Sequence, residues 1–441
     1  MEPKNDKKLI RSWAFFDWAN SAYNLVITST IFPAYYTIIT SDKNDQTIDY
    51  VNFMGFRFIN SVLYNYALAF AFLVIAVLSP ILSSIADTRG NKKLFMQIFT
   101  YIGSLACCGL YIFKIDTLQI SIVLFMLAAL GYWGSLVFYN AYLPEIASLE
   151  TQDSVSAKGY AYGYIGSIIL QLICFVFVFF PGVFGLSGEA QASRLSFLLV
   201  GIWWMLFAQI PFRNLPNGKP DPQKAKANGL TGGFAELKKV WRQLQHMPYL
   251  KRFLTAFFFY SMGVQTVMLV ATIFGEKQLH LPTSKLIATI LLLQFVAIPG
   301  AMLMSWLSRR YFGNVKVLIG VVIIWIGCCA GAYFTTTEMQ FYALAATVGL
   351  IMGGIQSLSR STYSKFLPQE SQDHTSFFSF YDVTEKVALV IGMFSFGYIE
   401  EFTGSMQNSL IALASFFVIG LLFLVLLRKV EPGTVAAPSN N

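Results

Sequence analysis

Twelve long apolar runs constrain the fold of this chain more than any other feature of its sequence. A helix that crosses a bilayer needs about 20 mostly apolar residues. Only 12% of the residues are charged, roughly half the share found in soluble proteins. The sequence therefore predicts an all-α polytopic membrane protein and excludes a soluble enzyme. The predicted spans 1 to 12 lie at residues 12–39, 61–86, 93–114, 118–143, 157–181, 194–212, 250–274, 285–308, 315–336, 339–366, 375–400 and 407–428.

Lys and Arg residues are concentrated in alternate segments between the spans. Most of the 31 lie on the side that also holds both termini, and cytoplasmic segments of membrane proteins carry such an excess. We therefore expect both termini to be cytoplasmic. The net charge of +8 then faces anionic lipid headgroups, so no nucleic-acid partner is needed. The expected partners are membrane lipids and a small-molecule solute, and the chain is expected to work as a monomer.

The longest polar stretch divides the spans into two groups of six. It begins with a segment rich in Pro, Gly and Lys, and ends with a short amphipathic helix that carries Phe234, Leu237, Trp241 and Leu244. Cys107-Cys108 and Cys328-Cys329 recur at equivalent places in the two groups, which favours a duplicated unit with parallel repeats. The predicted organisation is an N-terminal half 1–212, a cytoplasmic linker 213–249, a C-terminal half 250–430 and a short tail 431–441.

No nucleotide-binding motif or zinc-protease motif occurs in the chain, and it contains only three histidines. The five cysteines fall within apolar runs without metal-ligand spacing. We therefore expect no cofactor and no metal, and proton coupling is one candidate source of energy.

Ionisable and amide side chains inside the spans indicate functional positions. Insertion of a charged side chain at the middle of a membrane helix costs about 2.5–3.5 kcal/mol of free energy on insertion scales. In span 1, Asp17, Asn20 and Asn24 form one polar stripe. In span 10, Gln356 lies one turn from Arg360, and in span 11 Asp382 and Lys386 have the spacing of an ion pair. Asp17, Arg360, Asp382, Glu385 and Lys386 all fall in the cytoplasmic halves of their spans, and Asn140 and Glu145 lie at the cytoplasmic end of span 4.

Two roles compete for these residues: a solute site, or a charged gate that holds the two halves together. We assign solute binding to Asn20, Tyr23, Asn24, Tyr139, Asn140, Gln265, Gln356 and Arg360. We assign coupling or gating to Asp17, Glu145, Asp382, Glu385 and Lys386. The guanidinium fork of Arg360 suits the carboxylate of a solute.

Between spans 2 and 3 the chain reads Ser83-Ser-Ile-Ala-Asp87-Thr-Arg-Gly90-Asn-Lys92-Lys93. This segment resembles the loop 2–3 signature of the major facilitator superfamily, Gly-x-x-x-Asp-Arg-x-Gly-Arg-Lys, with Ser83, Thr88 and Asn91 in place of three of its residues. We assign Asp87, Arg89, Gly90, Lys92 and Lys93 to this loop 2–3 motif. The resemblance implies twelve transmembrane helices and a central cavity lined by spans 1, 4, 7 and 10. The segment is also typical of an ordinary cytoplasmic loop, in which basic residues are common. The motif therefore indicates the fold more than the substrate.

Further motifs in both groups of spans are Asp17-Trp-Ala-Asn-Ser-Ala-Tyr23, Phe138-Tyr-Asn-Ala-Tyr-Leu-Pro-Glu145, Gly159-Tyr-Ala-Tyr-Gly-Tyr164, Gly354-Ile-Gln-Ser-Leu-Ser-Arg-Ser361 and Phe380-Tyr-Asp382. They resemble one branch of that superfamily, the fungal autophagy-related vacuolar amino-acid effluxers and their bacterial relatives. The resemblance implies secondary active or facilitative transport by alternating access, with amino-acid efflux as the expected activity. Relatives often carry Asn-Asp-Gly where this chain has Ser261, Met262 and Gly263.

Two alternatives stay open. The abundant Phe and Tyr residues also suit an exporter of amphipathic drugs or other metabolites, and the same cavity would serve a nutrient receptor that does not transport. The expected location is a bacterial inner membrane.

Overall fold

Long helices occupy every predicted span in the computed structural model, which describes residues 4–41, 49–218, 238–368 and 373–428. Ten of the helices in these ranges are long and apolar enough to cross a membrane. The other two spans are 1, which is interrupted by a π-helical segment, and 11, which carries several charged groups. Spans 1 to 6 are Lys7–Thr40, Asn60–Arg89, Lys92–Gly109, Leu118–Asn140, Gln152–Phe179 and Glu189–Asn214. Spans 7 to 12 are Pro248–Leu279, Thr283–Leu307, Asn314–Tyr333, Glu338–Phe366, His374–Thr403 and Met406–Arg428.

Span 1 differs from the continuous α-helix that the sequence predicts. It runs as α-helix over Lys7–Tyr23, as π-helix over Asn24–Thr30 and as α-helix again over Ile31–Thr40. Within the π-helical segment, Ser29 Oγ donates to the carbonyl of Asn24, and Thr30 Oγ1 donates to that of Leu25. These side chains bond carbonyl groups five residues back, which supports the wider turn.

The connections between spans contain short elements. Strand β1 (Tyr50–Phe53) pairs antiparallel with strand β2 (Phe56–Ile59) before span 2. A one-turn helix, Leu143–Ile146, follows span 4. Gly90 ends span 2 with a φ of +64°, a left-handed conformation that glycine adopts without a steric penalty. The loop 2–3 motif therefore has a glycine where the chain must turn into span 3.

Span 5 begins earlier than the sequence predicts, at Gln152 instead of residue 157. This brings Asp153 into its first turn. Spans 5 and 11 begin at Gln152 and His374, and spans 3 and 9 begin at Lys92 and Asn314. Both pairs are 222 residues apart in sequence, within one residue of the 221 that separate Cys107-Cys108 from Cys328-Cys329.

The buried apolar side chains form two clusters. One is drawn almost entirely from residues 9–215, and the other almost entirely from residues 240–427. Among the buried residues that the structure describes, Leu389, Ala141 and Tyr164 are the three that belong to the cluster of the opposite group. Spans 1–6 and spans 7–12 therefore each have an apolar core of their own, and the polar contacts described below join the two sets of helices.

Part of the predicted linker lies outside the described residues, including Phe234 and Leu237, and so does the tail at 431–441. Residues 238–245 are helical. In this helix Val240 and Leu244 are buried in the core of spans 7–12, while Trp241 is half exposed and lies 5.9 Å from the ring of Phe380. The helix thus packs on spans 7–12 through one apolar edge.

Candidate functional site

Arg360 of span 10 lies at the contact between the two groups of spans and is 2% exposed. Its Nε donates to Ser156 Oγ at 2.9 Å, and its Nη2 donates to the Ser156 carbonyl at 2.8 Å. Its Nη1 donates to Asn140 Oδ1 at 3.2 Å and to Asp17 Oδ2 at 3.4 Å. An arginine has five N–H donors, so most of them are used by spans 1, 4 and 5. We call Asp17, Tyr139, Asn140, Ser156 and Arg360 the central node.

Aromatic rings complete the surroundings of the central node. Tyr139 donates its hydroxyl to Asp17 Oδ2 at 2.7 Å, and its ring stacks on Trp13 with centroids 4.4 Å apart. The guanidinium carbon of Arg360 lies 4.2 Å from the ring centroid of Tyr160 and 4.9 Å from that of Trp13. A buried charge needs a counter-charge and hydrogen bonds to be tolerated. The central node supplies both, and in doing so fastens span 10 to spans 1, 4 and 5.

Gly159 allows span 5 to approach the central node. A Cβ atom at this position would lie 2.7 Å from Asp17 Oδ2, 2.9 Å from Arg360 Nη2 and 2.9 Å from the Tyr139 hydroxyl. The Asp17 carboxylate and the Arg360 guanidinium bind each other, so neither can move away without weakening their ion pair. The glycine of the Gly159–Tyr164 motif is therefore explained by close packing rather than by turn formation.

We expect Gly159→Ala to lower the thermal stability of the purified protein, because overpacking of a tight site costs about 1–3 kcal/mol. Gly320→Ala in span 9 is the matched control, since nothing lies within 4 Å of a Cβ placed there. Thermal unfolding in detergent compares the two variants. Equal midpoints would contradict the close packing described for span 5.

A narrow pocket lies beside the central node, between spans 5, 7, 10 and 11. Its described lining residues are Tyr160, Phe257, Tyr260, Ser261, Val264, Gln265, Ile355, Gln356, Ser359, Tyr381 and Glu385. Spans 7 and 10 line it as expected, but spans 5 and 11 replace spans 1 and 4. The reason is that Asp17, Tyr139 and Asn140 point into the central node instead.

Two predicted solute-binding residues, Gln265 and Gln356, reach this pocket. Gln265 Nε2 donates to Glu385 Oε1 at 2.9 Å, and the Tyr164 hydroxyl donates to Gln356 Oε1 at 2.7 Å. The second bond joins span 5 to span 10. The pocket lining thus contains one carboxylate and two amides together with aromatic rings.

Asp382, Glu385 and Lys386 of span 11 form one cluster. Lys386 Nζ lies 3.1 Å from Asp382 Oδ1, 3.2 Å from Glu385 Oε2 and 3.7 Å from the ring centroid of Trp133 in span 4. Asp382 Oδ2 is buried without a hydrogen-bond partner among the described residues. The predicted ion pair between Asp382 and Lys386 is present, and it borders the contact with span 4.

Asp87, the acid of the loop 2–3 motif, lies against the beginning of span 11. Its Oδ2 accepts from the backbone N–H and the hydroxyl of Ser376, both at 2.7 Å, and its Oδ1 accepts from the backbone N–H of Thr375 at 3.2 Å. The first turn of a helix has unpaired N–H groups and a partial positive charge. Asp87 therefore caps a helix of spans 7–12 from the end of span 2.

A second contact of this kind, which the sequence analysis missed, involves Asp153 at the start of span 5. Asp153 Oδ2 accepts from Lys365 Nζ at 2.5 Å, and its Oδ1 accepts from Asn314 Nδ2 at 2.7 Å. Asn314 begins span 9, and Lys365 lies at the end of span 10. The 222-residue repeat is the signal that would have found it, because it relates the start of span 5 to the start of span 11.

The other residues of the loop 2–3 motif act within spans 1–6. Lys92 is buried, forms an ion pair with Glu145 and lies 4.1 Å from the ring centroid of Tyr142. Lys93 Nζ donates to the carbonyl of Leu215 at 2.8 Å, and Arg89 is exposed. The predicted gate residue Glu145 thus pairs inside its own group of spans.

The remaining predicted solute-binding residues of span 1 lie away from the described pocket walls. Tyr23 is fully buried in the core of spans 1–6, with its ring centroid 4.9 Å from Tyr132 and 6.0 Å from Trp204. Asn20 is fully buried, and its Nδ2 has no hydrogen-bond partner among the described residues. Asn24 is half-buried where the π-helical segment begins. An amphipathic stripe does not distinguish a cavity face from a face packed on neighbouring helices.

The chain is similar in sequence to known proteins over almost its whole length. Residues 5–437 match the family model described as "Vacuole effluxer Atg22 like". The "uncharacterized MFS-type transporter YxiO" of Bacillus subtilis is 29% identical over 99% of both chains. "Autophagy-related protein 22" of Kluyveromyces lactis is 24% identical over 95% of this chain and 93% of its own.

The fold also resembles solved transporters. The fucose:proton symporter FucP of E. coli superposes with a TM-score of 0.68 at 15% identity, over 95% of this chain and 97% of its own. Identity at that level speaks for the fold alone. With the family match covering nearly the whole chain, the protein is an integral membrane transporter of the major facilitator type and belongs to the vacuole effluxer Atg22-like family.

Proposed function

We propose that this transporter exports a small zwitterionic solute, most simply an amino acid, by alternating access. Membership of a family described as vacuole effluxers supports solute transport as the activity. The pocket supports the solute class, because it combines aromatic walls with a carboxylate and two amides. Specific small-molecule sites have this composition, with few polar groups on a mostly apolar lining.

The observation that carries the proposal is the position of Tyr160. Its ring lines the pocket and also packs against Arg360, with 4.2 Å between the guanidinium carbon and the ring centroid. A solute that displaces this ring therefore disturbs the residue that joins span 10 to spans 1, 4 and 5. Alternating access requires such a link between the occupied site and the contacts that open.

Three groups of contacts hold the molecule closed at the end where spans 2 and 10 finish and spans 5, 9 and 11 begin. They are the central node, the cap by Asp87 and the pairing of Asp153 with Lys365 and Asn314. Each joins spans 1–6 to spans 7–12. In the predicted orientation this end is cytoplasmic. We propose that these contacts break when the transporter opens toward the cytoplasm and form again when it faces the other side.

The engagement of Arg360 by protein groups favours gating over direct solute contact for this residue. We also propose proton coupling, with Asp17, Asp382 and Glu385 as the candidate carriers, because all three lie within the spans next to the contacts that break. A plasma-membrane location is proposed from the similarity to the transporter of Bacillus subtilis.

Counterflow in proteoliposomes tests the proposal. Vesicles are loaded with a mixed amino-acid pool and given external labelled Leu, Ile or Tyr, with and without an imposed pH gradient. We expect stereoselective accumulation of tracer, and a response to the gradient supports proton coupling. Absence of accumulation, while a sugar carrier works in the same lipid, contradicts amino-acid transport and directs the search to amphipathic drugs or to a receptor role.

A further inference from the structure

The charges of the central node and of the span 11 cluster do not balance. Asp17, Asp382 and Glu385 supply three carboxylates, whereas Arg360 and Lys386 supply two cations. Arg360 is matched by Asp17, so Asp382 and Glu385 share one ammonium group. When these groups carry their usual charges, one negative charge is left over beside the pocket, and a buried charge without a partner is costly.

That excess charge reaches the pocket through Glu385. The Glu385 side chain is 21% exposed and lines the pocket, whereas the side chains of Asp382 and Lys386 are only 6% and 2% exposed. Each of its oxygens already accepts one hydrogen bond, from Gln265 or from Lys386. A carboxylate has about four acceptor positions, so Glu385 has acceptor positions left for a donor. The pocket has a free volume of only about 10 Å³ in this structure, so it has to widen to admit a solute.

The rest of the lining suits a cation. The rings of Tyr160, Phe257, Tyr260 and Tyr381 surround the same space, and the faces of aromatic rings attract ammonium groups. No Lys, Arg or His is among the described residues that line the pocket. Arg360 donates its bonds to Ser156, Asn140 and Asp17 instead. Among its described lining residues the pocket therefore offers an anion and ring faces, and no cation for a carboxylate.

We propose that the pocket recognises the ammonium group of its solute, with Glu385 as the counter-ion, and that the carboxylate of an amino acid contributes little. The predicted ligand class is small primary amines with an apolar or aromatic body, including amino acids and their decarboxylated forms. This inference rests on the proposed function and adds to it the part of the solute that the site binds.

The test is equilibrium binding by calorimetry to the purified full-length protein in detergent. Three ligands share one body: L-leucine, 3-methylbutylamine, which lacks the carboxylate, and 4-methylpentanoate, which lacks the amine. We expect both amines to bind and the acid to bind at least about tenfold more weakly, as loss of a charge-assisted hydrogen bond implies. Binding of the acid as tight as that of the amines, or no binding of either amine, overturns the proposal.

Glu385→Gln keeps the size of the side chain and removes its charge, so we expect it to abolish binding of 3-methylbutylamine. Glu401→Gln, at an exposed position of the same span, is the matched control. Unchanged amine affinity in Glu385→Gln overturns the proposal, and the ligand series on the unmodified protein decides the matter if that variant does not fold. Binding is measured without transport, so the two proposals can fail separately. Amine binding without counterflow contradicts the proposed transport and leaves this inference standing. Counterflow that is equal in the unmodified protein and in Glu385→Gln contradicts this inference and leaves transport standing.

Discussion

Arg360→Ala is expected to abolish counterflow while the protein still inserts and purifies as a folded species. The substitution leaves Asp17 buried without its cation, and loss of one partner of a buried ion pair costs about 3–5 kcal/mol. That penalty falls on the closed arrangement, in which Arg360 joins span 10 to spans 1, 4 and 5. Tracer uptake and gel-filtration profiles of the variant are the measurements, and normal uptake would rule out a transport role for the central node.

The same variant separates gating from solute binding. If Arg360 acts as a gate, the variant still binds 3-methylbutylamine and L-leucine in detergent. If Arg360 binds the solute carboxylate, affinity for L-leucine falls and affinity for the amine does not. Arg360→Lys keeps the charge but not the fork of donors, so we expect it to restore only part of the uptake. Arg89→Ala is the control, because Arg89 is exposed.

Asp87→Asn is expected to loosen the beginning of span 11. The change removes the charge that accepts three hydrogen bonds from Thr375 and Ser376, and hydrogen bonds to charged groups contribute about 1.5–3 kcal/mol. The backbone amides of residues 375–379 should exchange with deuterium about tenfold faster or more. Hydrogen–deuterium exchange with mass spectrometry measures this, and uptake should fall as well.

Glu150→Gln serves as the control for that experiment, because Glu150 is an exposed acid of the same predicted cytoplasmic side. It should leave exchange in span 11 unchanged. Faster exchange in both variants would mean that overall negative charge, and not the cap by Asp87, protects the helix. Unchanged exchange in Asp87→Asn would show that the cap does not limit opening at this end.

The contacts made by Asp87 and Asp153 both involve the beginning of a helix. Asp87 caps the beginning of span 11, and Asp153 lies at the beginning of span 5 and accepts from the beginning of span 9. Spans 5 and 11 begin 222 residues apart. The two contacts use different partners, and each joins spans 1–6 to spans 7–12. The closed end is therefore held at two separate points.

Much of the fold followed from patterns along the chain. All twelve apolar runs are helical, because the bilayer demands long helices with satisfied backbone groups. The loop 2–3 motif and the polar groups of spans 1, 10 and 11 were also found from sequence. The π-helical segment at Asn24–Thr30 and the early start of span 5 were missed, because hydropathy does not report hydrogen-bond register or the exact end of a helix.

Hydropathy identifies the side chains that are costly to place in a membrane, namely Asp17, Arg360, Asp382, Glu385 and Lys386, and helical spacing already pairs Asp382 with Lys386. The partners of Asp17, Arg360 and Glu385 are set by the packing of the helices. Arg360 belongs to a gate-like contact with Asp17, while Glu385 faces the pocket. The reason is physical: the energy of a buried charge depends on groups within a few ångströms, and those groups come from helices far apart in sequence.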